Sequence, residues 1–271
     1  MPLVLCPTPI GNLEDVTLRA LRELGEADVV LCEDTRRTRI LLDRHGVRAR
    51  LVSFHRHNEA QRTAEILPRL VEGERVAVAS DAGLPGVNDP GARLLAAAIE
   101  RGVEVTVLPG PSAVETALVA SGLVGERYTF LGYLPRAAAA RARLWEEISS
   151  WRWPAVAFES PRRLPATLAS LAAADPERSV AVCRELTKRF EEVARGSARE
   201  LVQRFAEPPK GEVTLVLGPA QGIAGAPGAD ERAALEAVAE LVAAGVRRRR
   251  AAEIVGRLTG LSRNRLYRGS V

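Results

Sequence analysis

Short apolar runs alternate with amphipathic stretches along the first 121 residues of the chain. The runs are rich in valine and leucine and lack the polar alternation of a strand with one solvated face; they lie at 3–6, 29–32, 51–54, 76–79 and 103–108. Helical patterns lie between them, at 16–24, 38–43, 60–71, 92–99 and 113–121. Apolar strands separated by helices indicate a parallel sheet that is covered on both faces. The sequence therefore predicts a doubly wound α/β domain over residues 1–121.

A second block of alternating elements begins after residue 121 and has a different composition. Most of the aromatic residues of the chain lie between positions 128 and 158. Strand-like runs recur at 128–133, 155–158, 180–183 and 213–217, and helical patterns lie at 141–148, 164–172 and 198–205. This alternation predicts a second α/β domain over residues 122–219.

A stretch rich in glycine and proline separates the second domain from the end of the chain. Residues 220–229 are predicted to form a linker. Beyond it, the pattern predicts a helix at 231–244 and two short helices within 251–267. Gly260 is placed to end the first of these short helices and Ser262 to cap the second. We therefore predict a helix-turn-helix-like appendage over residues 230–271.

The composition is that of an ordinary globular protein. Of the 271 residues, 46% are hydrophobic and 27% are charged, and no apolar run approaches the roughly 20 residues that cross a bilayer. The chain enters its first strand without a basic leader or an apolar signal segment. Cys6, Cys32 and Cys183 are widely spaced in apolar stretches, which indicates buried thiols in a reducing compartment. We expect a cytoplasmic protein that does not bind membranes.

Basic residues concentrate at the end of the chain. The formal net charge is +4, and residues 246–271 contain a single acid, Glu253, against eight arginines. A local excess of this kind is a candidate surface for binding a polyanion such as RNA. A solvated helix face is the alternative interpretation. The candidate RNA-binding residues are Arg247, Arg248, Arg249, Arg250, Arg263, Arg265 and Arg268.

The loops that follow the predicted strands are the places to look for chemistry, because ligands of doubly wound sheets bind beyond the carboxyl ends of the strands. The loop at 7–13 lacks the G-x-G-x-x-G spacing that wraps a pyrophosphate, so a dinucleotide cofactor is disfavoured. The chain also lacks a G-x-x-x-x-G-K-[ST] loop, which excludes hydrolysis of nucleoside triphosphates by that device. Two other loops, at 80–91 and 109–113, are rich in glycine and proline. We expect them to line one shared pocket.

Two adjacent acids follow the second strand, and they allow several interpretations. Glu33 and Asp34 could hold a hydroxyl group or a metal, but Asp34 precedes a predicted helix and is most economically its N-cap. Cysteines and histidines are too scattered for a structural zinc site. His55 and His57 would share one face of a strand, yet two histidines alone are a weak metal signal. We predict no metal site.

Short motifs recur in a fixed order along the chain. They lie at 7–15, 32–36, 53–55, 57–59, 80–83, 89–91 and 109–113 in the first half, and at 158–161, 184–188, 196 and 211–212 in the second half. In this order they resemble the motifs of the ribosomal RNA small subunit methyltransferase I family, within the tetrapyrrole methylase superfamily. The resemblance covers about residues 3 to 218, and the basic tail is similar to the appendage of that family.

The resemblance implies a homodimeric enzyme that uses S-adenosylmethionine to methylate the ribose 2′-hydroxyl of a cytidine in the decoding region of 16S rRNA, free or in the small ribosomal subunit. It also implies that the cofactor lies in the cleft between the two α/β domains. The family commonly has threonine where this chain has Leu84. The implied cofactor-binding residues are Ile10, Asp81, Gly83, Leu84, Ser112, Ala113, Phe158, Glu159, Arg184, Glu212 and Val213.

Methylation of a hydroxyl group benefits from a general base, and the sequence does not identify it. Lys188 is one of only two lysines, and lysine can lose its charge on burial whereas arginine cannot. A salt bridge from Lys188 to Glu191 or Glu192 is the preferred interpretation. The candidates for the base are Glu33, Asp34, Glu159, Glu185 and Lys188.

Two other functions remain open at this point. A methylase of a small porphyrinoid would share the cofactor cleft, but it would need a cleft sized for a macrocycle and would give the basic tail no role. A non-catalytic nucleic-acid-binding module would use the helix-turn-helix and would bind the cofactor without transferring a methyl group.

Overall fold

Two five-stranded sheets form the body of the protein. The computed structural model describes residues 2–220, 229–259 and 261–269. The first sheet has the order β3-β2-β4-β1-β5, and all of its pairings are parallel. Its strands are β1 (Leu3–Cys6), β2 (Val29–Cys32), β3 (Leu51–Ser53), β4 (Val76–Ala79) and β5 (Val105–Val107), and the helices between and after them are α1 (Leu18–Glu26), α2 (Thr35–Arg44), α3 (Glu59–Val71), α4 (Ala92–Glu100) and α5 (Ala113–Ser121).

Both faces of the first sheet are buried, which is why its strands are continuous apolar runs. Leu3 and Leu5 of β1 face the helices α3 and α4, where they meet Leu70 and Leu94. Val4 and Cys6 point the other way, into a cluster with α1 and α2. Full burial of one such aliphatic side chain contributes about 1.5–3 kcal/mol. The predicted doubly wound α/β fold is confirmed.

The second sheet is mixed and has the order β6-β7-β10-β8-β9. Only the β6–β7 pair is parallel; the other three pairings are antiparallel. The strands are β6 (Thr129–Tyr133), β7 (Ala155–Glu159), β8 (Ser179–Arg184), β9 (Glu192–Ser197) and β10 (Val213–Leu217), and the helices are α6 (Ala138–Ile148), α7 (Leu164–Ala174) and α8 (Ala198–Arg204).

Strand β9 was not predicted from the sequence. It is an edge strand that pairs only with β8, and Ala194 is its single fully buried residue. Glu192 and Arg195 interrupt any apolar run, so the segment has neither the buried pattern of a central strand nor a clean alternation.

Helix α5 connects the two sheets. Five residues separate it from the end of β5. Its buried residues Val114, Ala117 and Leu118 nevertheless pack against the second sheet, in one cluster with Val156 and Val216. Helices α6, α7 and α8 contribute to the core on the opposite face of that sheet. The chain therefore crosses from one half to the other in the short turn that precedes α5.

The basic tail forms a small helical unit with its own core. Helices α9 (Ala229–Ala243), α10 (Arg248–Thr259) and α11 (Arg263–Gly269) bury Val238, Val255 and Leu266 against one another. Helix α11 begins directly after Ser262, as predicted. Gly260 and most of the predicted linker, residues 221–228, lie outside the described residues. Within the described ranges, no helix is both long and apolar enough to span a membrane.

Candidate active site

A cavity of about 1030 Å³ opens between the two halves, at the carboxyl ends of strands of the first sheet. The first half contributes the loop after β4 and the turn between β5 and α5. The second half contributes aromatic residues of β6 and β7 and the beginning of β10. The lining includes the segments 81–84, 87–89, 108–115, 158–161 and 211–214.

The loop after β4 is held in place by hydrogen bonds to the loop after β1. The backbones of Thr8 and Gly83 form a mutual pair, with both N–H to O distances at 2.9 Å. The Thr8 hydroxyl donates to the Ser80 carbonyl at 3.0 Å, and the Ser80 hydroxyl donates to the Gly83 carbonyl at 2.6 Å. Gly83 has a φ of 79°, a left-handed conformation that disfavours any residue with a Cβ. These contacts fix the backbone that carries Asp81 and Leu84 into the cavity.

The turn before α5 presents a helix N-terminus to the cavity. Ser112 is the N-cap residue, but its side chain does not cap the helix. Its hydroxyl donates instead to the Glu115 carboxylate, as does the Tyr128 hydroxyl. Burial raises the pKa of Glu115, but these hydrogen bonds outweigh that effect and lower it overall. Because Ser112 does not cap the helix, the N–H groups of Ala113 and Val114 stay available to a polar ligand, whereas that of Glu115 donates to its own carboxylate.

The two halves also touch beside the cavity, where the loop after β1 meets the segment that follows β8. The Asn12 N–H donates to the Thr187 hydroxyl at 3.0 Å. Gly11 approaches this segment so closely that a Cβ there would lie 2.5 Å from Cγ of Lys188. Glu185 and Thr187 have positive φ values of 52° and 64°. Such backbone strain is tolerated only where the surroundings fix it, and it is common at functional sites.

The predicted cofactor-binding residues come together with one exception. Arg184 is not among the residues that line the cavity. Its guanidinium donates to Glu192 at 2.9 and 2.8 Å and to the Lys210 carbonyl at 3.0 Å. Since Glu192 lies on the unpredicted strand β9, this partner of Arg184 could not be predicted from the sequence. The residues that do line the cavity are Ile10, Asp81, Gly83, Leu84, Ser112, Ala113, Phe158, Glu159, Glu212 and Val213.

Glu159 lines the cavity but has no free hydrogen-bonding capacity facing it. The carboxylate is 2% exposed and accepts hydrogen bonds from the Ser160 N–H at 2.6 Å and the Thr167 hydroxyl at 2.6 Å. It also forms an ion pair with Arg163 at 2.8 Å. A buried carboxylate that is fully paired in this way stabilises the turn around it.

Two further candidates for the base lie after β2, and neither lines the cavity. Asp34 is the N-cap of α2, as its position predicted, and accepts from the Arg36 N–H at 2.9 Å. Hydrogen bonds from the Arg36 side chain and backbone hold the pKa of Asp34 well below its usual range. Burial and the nearby Asp81 raise the pKa of Glu33.

Lys188 is paired, although not with the acids that were predicted from the sequence. Its ammonium donates to Glu185 and Glu212 at 2.9 Å each. The expected partners, Glu191 and Glu192, bind the Thr187 N–H and two arginines instead. Burial lowers the pKa of Lys188, but the two hydrogen bonds outweigh this and raise it. Lys188 is therefore held in its protonated form, and Glu185, with its pKa lowered by a hydrogen bond from the Glu212 backbone and by Lys188, is held as its anion.

The structure adds Asp89 and Tyr133 to the residues found from the sequence. Both line the cavity, and the Tyr133 side chain is an exposed aromatic group that packs against Phe158, with ring centroids 5.5 Å apart. Asp89 is half-buried. Burial and the charges of Glu33 and Asp81 raise the pKa of Asp89 to about 6. The Asp-Pro-Gly sequence around Asp89 was part of the resemblance, but nothing in the pattern assigned it a role.

No cluster of three or more histidine, cysteine, aspartate or glutamate side chains suited to a metal occurs among the described residues. His55 and His57 pack edge to face, with ring centroids 5.9 Å apart.

Related sequences identify the family of this chain. The sequence profile of the Tetrapyrrole (Corrin/Porphyrin) Methylases matches residues 2–202, and the chain belongs to this family. A relative from Mesorhizobium japonicum is 43% identical over 98% of this chain and 90% of its own length. A relative from Thermotoga maritima is 44% identical over 79% of this chain and 97% of its own length. Both are named ribosomal RNA small subunit methyltransferase I; at this identity and coverage the chain is a member of that narrower family, which confirms the resemblance.

Solved structures of more distant proteins share the fold. Diphthine synthase superposes with a TM-score of 0.63 at 17% identity, over 80% of this chain and 90% of its own. The uroporphyrin-III-C-methyltransferase of Thermus thermophilus superposes with a TM-score of 0.55 at 24% identity, over 82% of this chain and 96% of its own. At these identities the likeness shows the fold alone.

Replacing Asp89 by asparagine is expected to stabilise the protein at neutral pH. The pKa of Asp89 is 3.8 in an unfolded chain and is raised to about 6 in the folded protein. Between these two pH values the unfolded chain loses the Asp89 proton more readily than the folded protein does. The free energy of unfolding therefore falls as the pH rises from the first value to the second. Thermal melts of Asp89→Asn and the wild type should coincide at about pH 4, and the variant should melt higher at about pH 8. If the variant melts at the same temperature as the wild type or lower at the higher pH, the ionised Asp89 carboxylate does not destabilise the folded protein.

Proposed function

We propose that this protein transfers a methyl group from S-adenosylmethionine to the ribose 2′-oxygen of a cytidine in the decoding region of 16S rRNA. The observation that carries the proposal is that a chain similar to the named rRNA methyltransferases over nearly its whole length has a large cleft at the ligand-binding edge of its first sheet. An enzyme with this substrate works in the cytoplasm. A homodimer, which the resemblance implies, is part of the same proposal.

The residues of the cleft suit S-adenosylmethionine. Its volume is at the upper end of the roughly 300–1,000 Å³ of small-molecule sites. Leu84 and Phe158 supply apolar surface for an adenosine group, and the open N–H groups at the start of α5 suit a carboxylate or hydroxyl group. Five carboxylates and one arginine, Arg37, lie in the described lining of the cleft, and this acidic excess suits a ligand that carries a sulfonium and an ammonium.

Methyl transfer to a ribose hydroxyl requires that the protein align the donor with the ribose oxygen and that a group accept the hydroxyl proton. When bound, S-adenosylmethionine supplies a methyl group made electrophilic by the adjacent sulfonium. The loop after β4 and the turn before α5 would hold the donor in one orientation, because both are fixed by hydrogen bonds and packing. Displacement at carbon requires the nucleophilic oxygen in line with the bond that breaks, so rigid placement accounts for much of the rate.

The RNA must present its target ribose to this cleft. A stacked nucleotide cannot enter it, so we propose that the target is splayed out of its helix. The exposed ring of Tyr133 at the cavity is the kind of surface on which unstacked bases pack. The arginines of the tail would add affinity for phosphates without reading sequence. Six of the seven candidate arginines are exposed, and Arg248 is half-buried and lies over the Tyr267 ring.

Transfer of a labelled methyl group from S-adenosylmethionine to small ribosomal subunits and to free 16S rRNA tests the proposal directly. We expect label in 16S rRNA from at least one of the two substrates, and the labelled nucleotide should map to a cytidine of the decoding region. Alkaline hydrolysis should leave the bond on the 3′ side of that nucleotide intact, because a methylated 2′-oxygen cannot attack the phosphate. Label that enters a porphyrinoid and neither RNA substrate would overturn the proposal.

Removing charge from the tail should weaken RNA binding and reduce its salt dependence. We expect the combined change of Arg247, Arg249, Arg263 and Arg265 to glutamine to lower affinity for rRNA at low salt. It should also reduce the slope of log affinity against log salt by about three to four, because each phosphate contact contributes about 0.7–0.9. The measurement is a filter-binding titration at several salt concentrations.

A control variant tests whether the loss of any surface arginines changes the salt dependence of RNA binding. Arg48→Gln with Arg101→Gln removes two exposed arginines outside the tail and should leave the slope unchanged. Calorimetry should give the same affinity of all variants for S-adenosylmethionine. An undiminished slope in the tail variant would mean that the tail is a solvated helix face.

A further inference from the structure

Five carboxylates line the cavity, and they differ in how they are paired. Four of them accept hydrogen bonds from other parts of the chain. Asp81 accepts from the Asp34 N–H at 2.9 Å, and Glu212 accepts from Lys188 at 2.9 Å. Glu115 and Glu159 are held by the hydroxyl, amide and guanidinium groups described above. The five are Asp81, Asp89, Glu115, Glu159 and Glu212.

Asp89 differs from the others because its neighbours in sequence offer it no donor. Pro90 has no N–H. The Gly91 N–H, which could otherwise turn back to the Asp89 side chain, donates to Glu59 at 2.9 Å. Arg56 donates to the Asn88 carbonyl at 3.4 Å. Within the described ranges, no hydrogen bond or ion pair to the Asp89 carboxylate is found, so its oxygens are available to a ligand in the cavity.

Burial and the nearby charges together set the pKa of Asp89. Burial raises it, Glu33 and Asp81 raise it further, Arg56 lowers it, and the result is about 6. Tyr133 lines the same cavity, and burial and the charge of Asp89 raise the pKa of its phenol. A carboxylate that is ionised at neutral pH, and is more basic than an exposed aspartate, is suited to take a proton.

We propose that Asp89 is the catalytic base that accepts the proton of the ribose 2′-hydroxyl as the oxygen is methylated, a role that rests on the proposed function. A bond forms between the ribose oxygen and the methyl carbon. The carbon–sulfur bond breaks, and its electron pair remains on sulfur as a neutral thioether. The O–H electron pair stays on the oxygen, the proton passes to a carboxylate oxygen of Asp89, and solvent removes it afterwards.

The candidates from the sequence are poorer bases in this geometry. Glu159 has all of its oxygens engaged, and Lys188 is held protonated between two acids. Asp34 caps α2, and Glu33 does not line the cavity. Glu185 accepts from Lys188 and from the Glu212 N–H at 2.9 Å.

Asp89→Asn keeps the shape of the side chain and removes its basicity. We expect kcat for methylation of small subunits to fall roughly 100- to 10,000-fold, the usual contribution of a general base, with little change in KM. In the wild type, kcat/KM should rise with pH through about 6 and then level off. Calorimetric affinities for S-adenosylmethionine and for its demethylated thioether product should both be retained in the variant.

Two further variants separate this role from others. Asp43→Asn alters an exposed aspartate of α2 and should react at the wild-type rate. Glu33→Gln removes a charge that raises the pKa of Asp89. It should therefore stay active and move the acid limb of the profile to lower pH.

Several results would overturn the assignment. If Asp89→Asn methylates within about tenfold of the wild type, well short of the usual loss of a base, another group takes the proton. If that variant loses affinity for the sulfonium donor but not for the thioether, Asp89 balances the cofactor charge instead. If Glu33→Gln is the variant that loses turnover, the base is Glu33. A wild type that methylates no ribosomal RNA would overturn the proposed function and this role with it, which distinguishes the two failures.

Discussion

The packing of α5 across the junction of the two halves is the constraint on which the cleft depends. The helix is tied to β5 of the first sheet by a turn of five residues, while Val114, Ala117 and Leu118 are buried against the second sheet. A short covalent tether and an apolar contact therefore fix the first sheet relative to the second. Because the N-terminus of α5 also lines the cavity, the element that joins the halves supplies part of the wall between them.

The carboxylates that line the cavity between the two sheets differ in whether other groups of the chain pair with them. Most are neutralised or hydrogen-bonded by nearby groups and so hold loops in place, as Asp81 does for the start of α2. Asp89 is left without a donor, which costs stability when it is ionised. An unfavourable charge placed in a cleft is expected where the charge takes part in chemistry. The relatives named ribosomal RNA small subunit methyltransferase I, which are 43–44% identical over most of the chain, favour rRNA as the substrate.

The sequence predicted the first half of the fold well and the second half less completely, for physical reasons. Strands β1, β2 and β4 are buried on both faces, so each is a continuous apolar run, and the predicted bounds agree with the observed ones. The edge strand β9 has no such run, and without it the partner of Arg184 was not visible. The position of the cavity could be predicted from the glycine- and proline-rich loops that follow two strands, because the carboxyl ends of parallel strands meet at one edge of the sheet. The unpaired state of the Asp89 carboxylate could not be predicted, since it depends on contacts such as that of Gly91 with Glu59, which are distant in sequence.

Hydrogen exchange of the wild-type protein with and without S-adenosylmethionine tests most directly whether the cleft between the halves is the donor site. We predict slower exchange in the presence of the donor at residues 81–89 and 110–115 of the first half, and also at 158–161 and 211–214 of the second half. The exchange of segments remote from the cleft, such as α7 and α8, should not change. Protection that is absent, or confined to one half of the molecule, would mean that the donor does not bind between the two halves.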